Sequence, residues 1–226
     1  MKLLKIAILA SGNGSNAENI IRFCQENPHL YQLPIVLCDN PEAYVIKRCE
    51  MLGTKVVLIP VEKKSTLAES REFQEKKMLE ILSEYQISLI CLAGYMRILS
   101  STFIDCFYDV KIHAARIINV HPSLLPSFKG TTAYIEAFNY GVKMSGVTLH
   151  LVDKGMDSVP ILMQDSFMRF DDDTFDQFIL RGLAVEHRLY RQVLQNFATL
   201  EIRPILLPGG RKLITFSSED SYVTLV

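Results

Sequence analysis

Neither sign of charge is in surplus: the 226 residues carry 24 Lys and Arg against 25 Asp and Glu, a formal net charge of -1. That balance excludes the electrostatic footprint by which proteins hold duplex nucleic acid or an acidic membrane surface. A disulfide framework is excluded as well. The five cysteines, Cys24, Cys38, Cys49, Cys91 and Cys106, are odd in number, lack C-x-x-C spacing and sit largely in apolar or helical surroundings. They point to a reducing compartment. Long apolar runs are missing too: residues 2–10 are too short to span a bilayer and end in a glycine-rich turn without a signal-peptide flank, so the expected location is the cytoplasm. There is no repeat, low-complexity tract or evident linker. His29, His113 and His187 show no metal-ligand spacing with Cys or carboxylates, so no metal site is expected; no G-x-S-x-G elbow is present, and no cysteine is marked as a nucleophile.

What is present is a chain with 49% hydrophobic residues, enough to bury one full core. Short apolar runs alternate with amphipathic stretches, the pattern of βαβ units around a parallel sheet. Strands are expected at 5–10, 34–38, 55–59, 89–93 and 117–120, with helices at 16–26, 44–52, 71–85 and 133–140. Beyond Gly146 the pattern changes to two adjacent strands, 147–152 and 161–164, joined by a short polar turn. A long helix from 174 to about 200 comes next, with Asp171-Asp172-Asp173 expected to cap its start. The fold expected is a single α/β domain: a mostly parallel twisted sheet with helices on both faces. Ligands of such sheets collect beyond the carboxyl ends of the strands.

Four motifs lie just past strands. Ser11-Gly12-Asn13-Gly14-Ser15-Asn16 offers tight turning and free amides at a helix start, suited to a phosphate. It lacks the lysine of a nucleotide P-loop and the last glycine of GxGxxG, which favours a monophosphate; the alternative is an ordinary β-to-α turn. In Ala93-Gly94-Tyr95-Met96-Arg97-Ile98-Leu99, Met96, Ile98 and Leu99 offer an apolar slot for a flat ring, or else simply enter a helix packed on the core. The run Ile117-Ile118-Asn119-Val120 ends in His121, so Asn119 and His121 point to one face where a strand stops, with Pro122 and Pro126 stiffening the loop beyond. An amide and an imidazole there suit an oxygen that gains negative charge; their structural alternative is a satisfied histidine and a loop-bonding amide. Finally, Asp157 in Asp153-Lys154-Gly155-Met156-Asp157-Ser158-Val159-Pro160 is either a turn aspartate or a carboxylate that keeps His121 charged near neutral pH.

Taken in order, SGNGSN, AGYMRIL, INVHPSLLPSFKG and SGVTLHLVDKGMD resemble the phosphoribosylglycinamide formyltransferases of purine synthesis, over a span from Lys5 to about Tyr190. The resemblance implies a mostly parallel seven-stranded sheet and transfer of a formyl group from 10-formyltetrahydrofolate, the formyl-donor cosubstrate, to the amine of glycinamide ribonucleotide. It matches the family's phosphate loop to Gly14, Ser15 and Asn16, and its ribonucleotide-contacting Glu to Glu186. The folate-site arginine matches Arg71, and the pterin loop matches Met96, Arg97, Ile98 and Leu99, with Asn119 also facing the folate. The catalytic Asn, His and Asp match Asn119, His121 and Asp157. Along the chain this divides residues 1–226, one catalytic domain, into a phosphate-binding half at about 1–100, a folate and catalytic half at about 101–207, and a tail from 208 in which no functional signal is read. The implied partners are small molecules, with the chain a monomer or homodimer.

One departure stands out. Where the family has Asp-x-Gly-Pro, this chain reads Asp157-Ser158-Val159-Pro160, which implies a shifted folate loop or a narrowed pocket, since Gly tolerates angles and approaches that a β-branched residue does not. Two alternatives arise: a 10-formyltetrahydrofolate hydrolase, or a folate- or phosphate-binding homologue with reduced catalysis. A methionyl-tRNA formyltransferase would need a further domain after Leu200, a hydrolase usually has a regulatory domain before Lys5, and a sugar-nucleotide enzyme would need more than the short phosphate loop.

Overall fold

The computed structural model describes residues 3–154, 159–208 and 210–217. In chain order the elements are β1 (Leu4–Ala10), α1 (Ser15–Glu26), β2 (Tyr31–Cys38), α2 (Val45–Met51), β3 (Val56–Leu58), α3 (Leu67–Glu84), β4 (Leu89–Leu92) and α4 (Ser101–Asp105). Then come β5 (Tyr108–Asp109), β6 (Ala114–Ala115), β7 (Ile117–His121), α5 (Ala133–Tyr140), β8 (Met144–Leu151), β9 (Ile161–Met168), α6 (Phe175–Thr199), β10 (Glu201–Leu206) and β11 (Lys212–Ser217). Seven strands form one sheet in the order β3-β2-β1-β4-β7-β8-β9. The first five pair in parallel, and β8 and β9 each pair antiparallel to the strand before them. The expected α/β fold with a mostly parallel sheet is therefore present.

The period-two alternation of β1 explains its two covered faces. Ile6, Ile8 and Ala10 join one apolar cluster with Ile20 and Cys24 of α1 and Leu189 and Val193 of α6. Ala7 and Leu9 point the other way, to Met78 and Leu82 of α3. A strand buried on both sides must read as a continuous apolar run, and β1 does from Ile6 to Ala10. From β1 the chain first builds outward through β2 and β3, then returns to β4 on the opposite side. The loops after β1 and β4 consequently part at a topological switch point, where an open sheet leaves a crevice.

The helices expected at 16–26, 44–52 and 133–140 agree with the structure to within a residue at each end. Helix α3 begins four residues before the expected 71, because Thr66 and Glu69 form a capping box: the Thr66 hydroxyl accepts from Glu69 N at 3.1 Å and the Glu69 carboxylate accepts from Thr66 N. At α6 the cap is Thr174 with Gln177, and not the acidic run. Asp173 instead accepts from Phe170 N at 2.7 Å and pairs with Arg181. The segment after α6 holds the hairpin β10–β11, whose Ile214 is buried on the main core; the sequence pattern predicts no strand there.

Candidate functional site

The crevice is bounded by the loop after β1, the loop after β4 and the ends of β7 and β8. Gly14 caps α1 in a left-handed conformation, φ 80°, and a Cβ there would lie 2.6 Å from Val45 of α2. Only glycine meets both demands. The first intrahelical bond closes at Glu18 N to Gly14 O, so the Ser15, Asn16 and Ala17 amides have no acceptor within the helix. Arg48 braces this turn from α2, donating from Nε to Asn13 O and from Nη2 to Asn13 Oδ1, both at 2.9 Å, and pairing with Glu18. Charge and donors thus surround a turn whose amides are free, the arrangement that takes an anion.

Asn16 and Glu186 lie at this turn, and their side chains engage each other. Asn16 Nδ2 donates to Glu186 Oε2 at 2.5 Å, and the Tyr134 hydroxyl donates to Oε1 at 2.6 Å. Gly182, one turn before Glu186, has no side chain to obstruct the Tyr134 ring. Both Asn16 and Glu186 are buried; burial pushes the Glu186 carboxyl up, against the two hydrogen bonds that hold it down. Asn16 Oδ1 is buried with no hydrogen-bond partner among the described residues.

The second loop is irregular, not a helix entry. Leu99 turns into the core while Met96 (67% exposed) and Ile98 (82% exposed) face out. An apolar loop that exposes two large side chains must be held by its backbone, and three bonds do this. Ser11 N donates to Gly94 O, Met96 N donates to Ser11 Oγ at 3.0 Å, and Ser100 N donates to Glu75 Oε1 at 2.7 Å. Arg71, exposed on α3, lines a cavity of about 370 Å³ with Met96, Arg97 and Ile98. Arg71 and residues 96–98, far apart in sequence, are therefore brought together, with Leu99 turned away into the core.

Asn119 and His121 occupy one face of β7, as expected. Asn119 lines a cavity of about 280 Å³ with Tyr95, Arg97, Ile98, Leu99 and His150; His121 stands two residues beyond, outside that lining. Sequence reasoning missed His150. It sits opposite Asn119 in the β7–β8 register, where Asn119 Nδ2 meets His150 Nε2 at 3.2 Å. His150 Nδ1 lies 3.0 Å from the Leu151 carbonyl, which only accepts, so Nδ1 carries the proton. Burial drives the His150 pKa down to about 4, leaving Nε2 a bare acceptor at neutral pH. This fixes the Asn119 amide: one N–H goes to His150, and the second N–H and the carbonyl remain for another partner. Alternation in Thr148-Leu149-His150 places Thr148 and His150 on one face, but only the strand register reveals which residues they meet.

His121 obeys the same logic. Its Nε2 lies 2.8 Å from the Phe128 carbonyl and so carries a hydrogen, while burial lowers its pKa. Nδ1 is the second ring nitrogen, an acceptor when the ring is neutral and a donor when it is charged. Thr148, opposite His121, ties down the proline-rich loop by donating to Ser123 O at 2.7 Å and accepting from Leu125 N at 3.0 Å. Asp157 lies outside the described residues. Past it, Val159 is half-buried, and Pro160 O accepts from Leu151 N at 2.9 Å.

Known proteins resemble the chain in sequence and in fold. Phosphoribosylglycinamide formyltransferase of Bacillus subtilis is 37% identical over 199 residues, covering 88% of this chain and 97% of that protein. The crystal structure of phosphoribosylglycinamide formyltransferase from Streptococcus pneumoniae superimposes with a TM-score of 0.75 at 36% identity, covering 86% of this chain and 99% of the other. The bovine trifunctional purine biosynthetic protein adenosine-3 is 31% identical over 219 residues; the match takes in 97% of this chain and 20% of that longer protein. Residues 4–194 match the formyl transferase family, and with most of its length so matched, on a sheet shared with solved relatives, the chain belongs to that family.

Proposed function

We propose that the chain transfers the formyl group of 10-formyltetrahydrofolate to the amine of glycinamide ribonucleotide, a step of purine synthesis. The observation that carries this reading is the Asn119 amide, oriented by His150 with an N–H to spare, beside His121 at a strand end between an anion-binding turn and an apolar loop. The relatives named for this reaction, matched across nearly their whole length, support the choice of substrates.

In the proposed reaction the neutral amine attacks the formyl carbon, a C–N bond forms, and the carbonyl electron pair moves onto the formyl oxygen. The spare Asn119 N–H and a charged His121 stabilise that oxyanion. As the intermediate collapses, the bond to folate N10 breaks, and the proton lost by the amine is passed on to N10. His121 serves as the acid, with Asp157 opposing the effect of burial and holding the ring charged. The turn at Gly14, Ser15 and Asn16 holds the phosphate through its free amides, and Glu186, bonded to Asn16, braces that turn on the ribonucleotide side. Arg71 and the Met96, Arg97, Ile98 and Leu99 loop hold the folate.

The test is an absorbance assay for the deformylated folate with and without glycinamide ribonucleotide. Turnover that requires the ribonucleotide is expected. Equal turnover without it means hydrolysis, and none in either case means a binding protein.

A further inference from the structure

Arg97 lines each of three cavities around the strand ends: the one at Asn119, the one at Arg71, and a third of about 530 Å³ lined also by Ser11, Asp39, Asn40 and Pro60. Its guanidinium is anchored along one edge. Nε donates to Asp39 Oδ2 at 2.7 Å, whereas Nη1 and Nη2 have no hydrogen bond to the described residues. Asp39 stands just past β2, its side chain only 3% exposed, and its Oδ1 is buried with no hydrogen-bond partner among the described residues. A carboxylate buried behind a single cation is a costly choice at a strand end. The loop backbone does not need it, because Ser11 and Glu75 already secure residues 94–100. What Asp39 alone fixes is the direction of the Arg97 side chain.

We propose that Asp39 is a positioning residue that holds Arg97 so that its free Nη edge meets a carboxylate of the formyl donor's glutamate tail. This rests on the proposed function. Binding through Nη1 and Nη2 while Nε is already held would leave the guanidinium little orientational freedom to lose, so Asp39 should act on donor affinity and not on the chemical step.

The experiment compares the whole protein with Asp39→Asn, Arg97→Met and the double variant. Asp39→Asn is expected to raise the KM for 10-formyltetrahydrofolate by about tenfold, with kcat and the ribonucleotide KM within about twofold of wild type. In the Arg97→Met background the Asp39 change should add nothing. An unchanged donor KM, a fall in kcat alone, or an Asp39 effect that persists without Arg97 overturns the proposal. Arg97→Met, a change at an exposed side chain, keeps the test open should Asp39→Asn fold poorly. Calorimetric titration with the donor, no acceptor being present, separates this from the function itself. A wild type without transfer that still binds donor about tenfold better than Asp39→Asn refutes the transfer reading and retains the role of Asp39. Equal binding refutes that role, as does a wild type that binds no donor.

Discussion

Two polar groupings lie at the carboxyl end of the sheet, each containing an asparagine, and they differ in what they leave unspent. Asn16, Glu186 and Tyr134 join α1, α6 and α5, and both carboxylate oxygens are taken by neighbours. Asn119 and His150 face each other across two strands, and the amide keeps an N–H and its carbonyl for something else. In the first grouping Asn16 and Glu186 are buried and Tyr134 is half-buried, whereas the second lines a cavity. The same residue types thus brace helices in one place and offer directed hydrogen bonds in the other. The first grouping is closed at Glu186, both of whose oxygens are taken, although Asn16 Oδ1 stays buried without a partner among the described residues; the second is open at Asn119, which lines a cavity.

The largest expected effect tests the open grouping. His121→Ala should lower turnover by on the order of 10²–10⁴, the scale of an acid–base group, and Asn119→Ala by on the order of 10²–10³, the scale of one oxyanion donor. Steady-state kinetics on variants whose circular dichroism matches the wild type provides the check. Full turnover in either variant would remove that residue from the mechanism and with it the contrast between the two groupings.

His150 comes next, and its effect appears in stability. In the unfolded chain it takes up a proton near its ordinary value of 6.5, but in the folded protein only near 4. Between those values the unfolded state binds more protons, so stability is full above about pH 6.5 and declines as pH falls towards 4. The difference amounts to about 3 kcal/mol. Denaturant unfolding at a series of pH values should show that slope, reduced in His150→Gln. An identical slope in the variant would mean that His150 is not held neutral, and the orientation assigned to Asn119 would lose its support.

These residues also show what a sequence makes legible. Strand β1 is readable because a strand covered on both faces has no polar side to interrupt it, and α5 because it is a short, clean helix ending at Gly141. Asn119 and His121 are readable from spacing alone, since two residues along a strand share a face. His150 is not: its function depends on the register of β8 against β7, which brings residues 31 apart into contact. The hydrogen bond from Asn16 to Glu186, across 170 residues, is hidden for the same reason. The start of α3 escapes notice although Thr66-Leu67-Ala68-Glu69 carries the capping-box signature, because the mixed charges after it draw the boundary to Arg71. Strands β10 and β11 escape it because both faces expose large apolar side chains, Ile205 and Leu213 on one and Leu206 on the other, which blurs the alternation expected of a half-buried hairpin.

The closed grouping gives a smaller effect. In Glu186→Gln one of the two oxygens becomes an NH₂ group that cannot accept, so either Asn16 or Tyr134 loses its acceptor inside the protein. The expected loss is about 1–3 kcal/mol, the cost of a buried polar group left unpaired, seen as a fall of about 2–10 °C in a thermal melt. A raised ribonucleotide KM with no loss of stability would break the contrast, since it would put Glu186 among the groups free to meet a ligand.

The smallest effect belongs to Val159. Pro160, immediately after it, is pinned to β8 through Leu151, so a change at 159 acts on the short segment before it and not on the sheet. A β-branched side chain restricts that segment and fills space a glycine would leave open. Val159→Gly should release both restraints at an entropic cost of about 0.5–1 kcal/mol in the folded state. If the valine narrows the donor's pocket, the gain in room exceeds that cost, and the donor dissociation constant should fall by about two- to fivefold, with the ribonucleotide KM unchanged. Titration of both proteins with 10-formyltetrahydrofolate decides it: an unaltered constant would show that the segment already lies where the donor needs it, with valine in place of glycine.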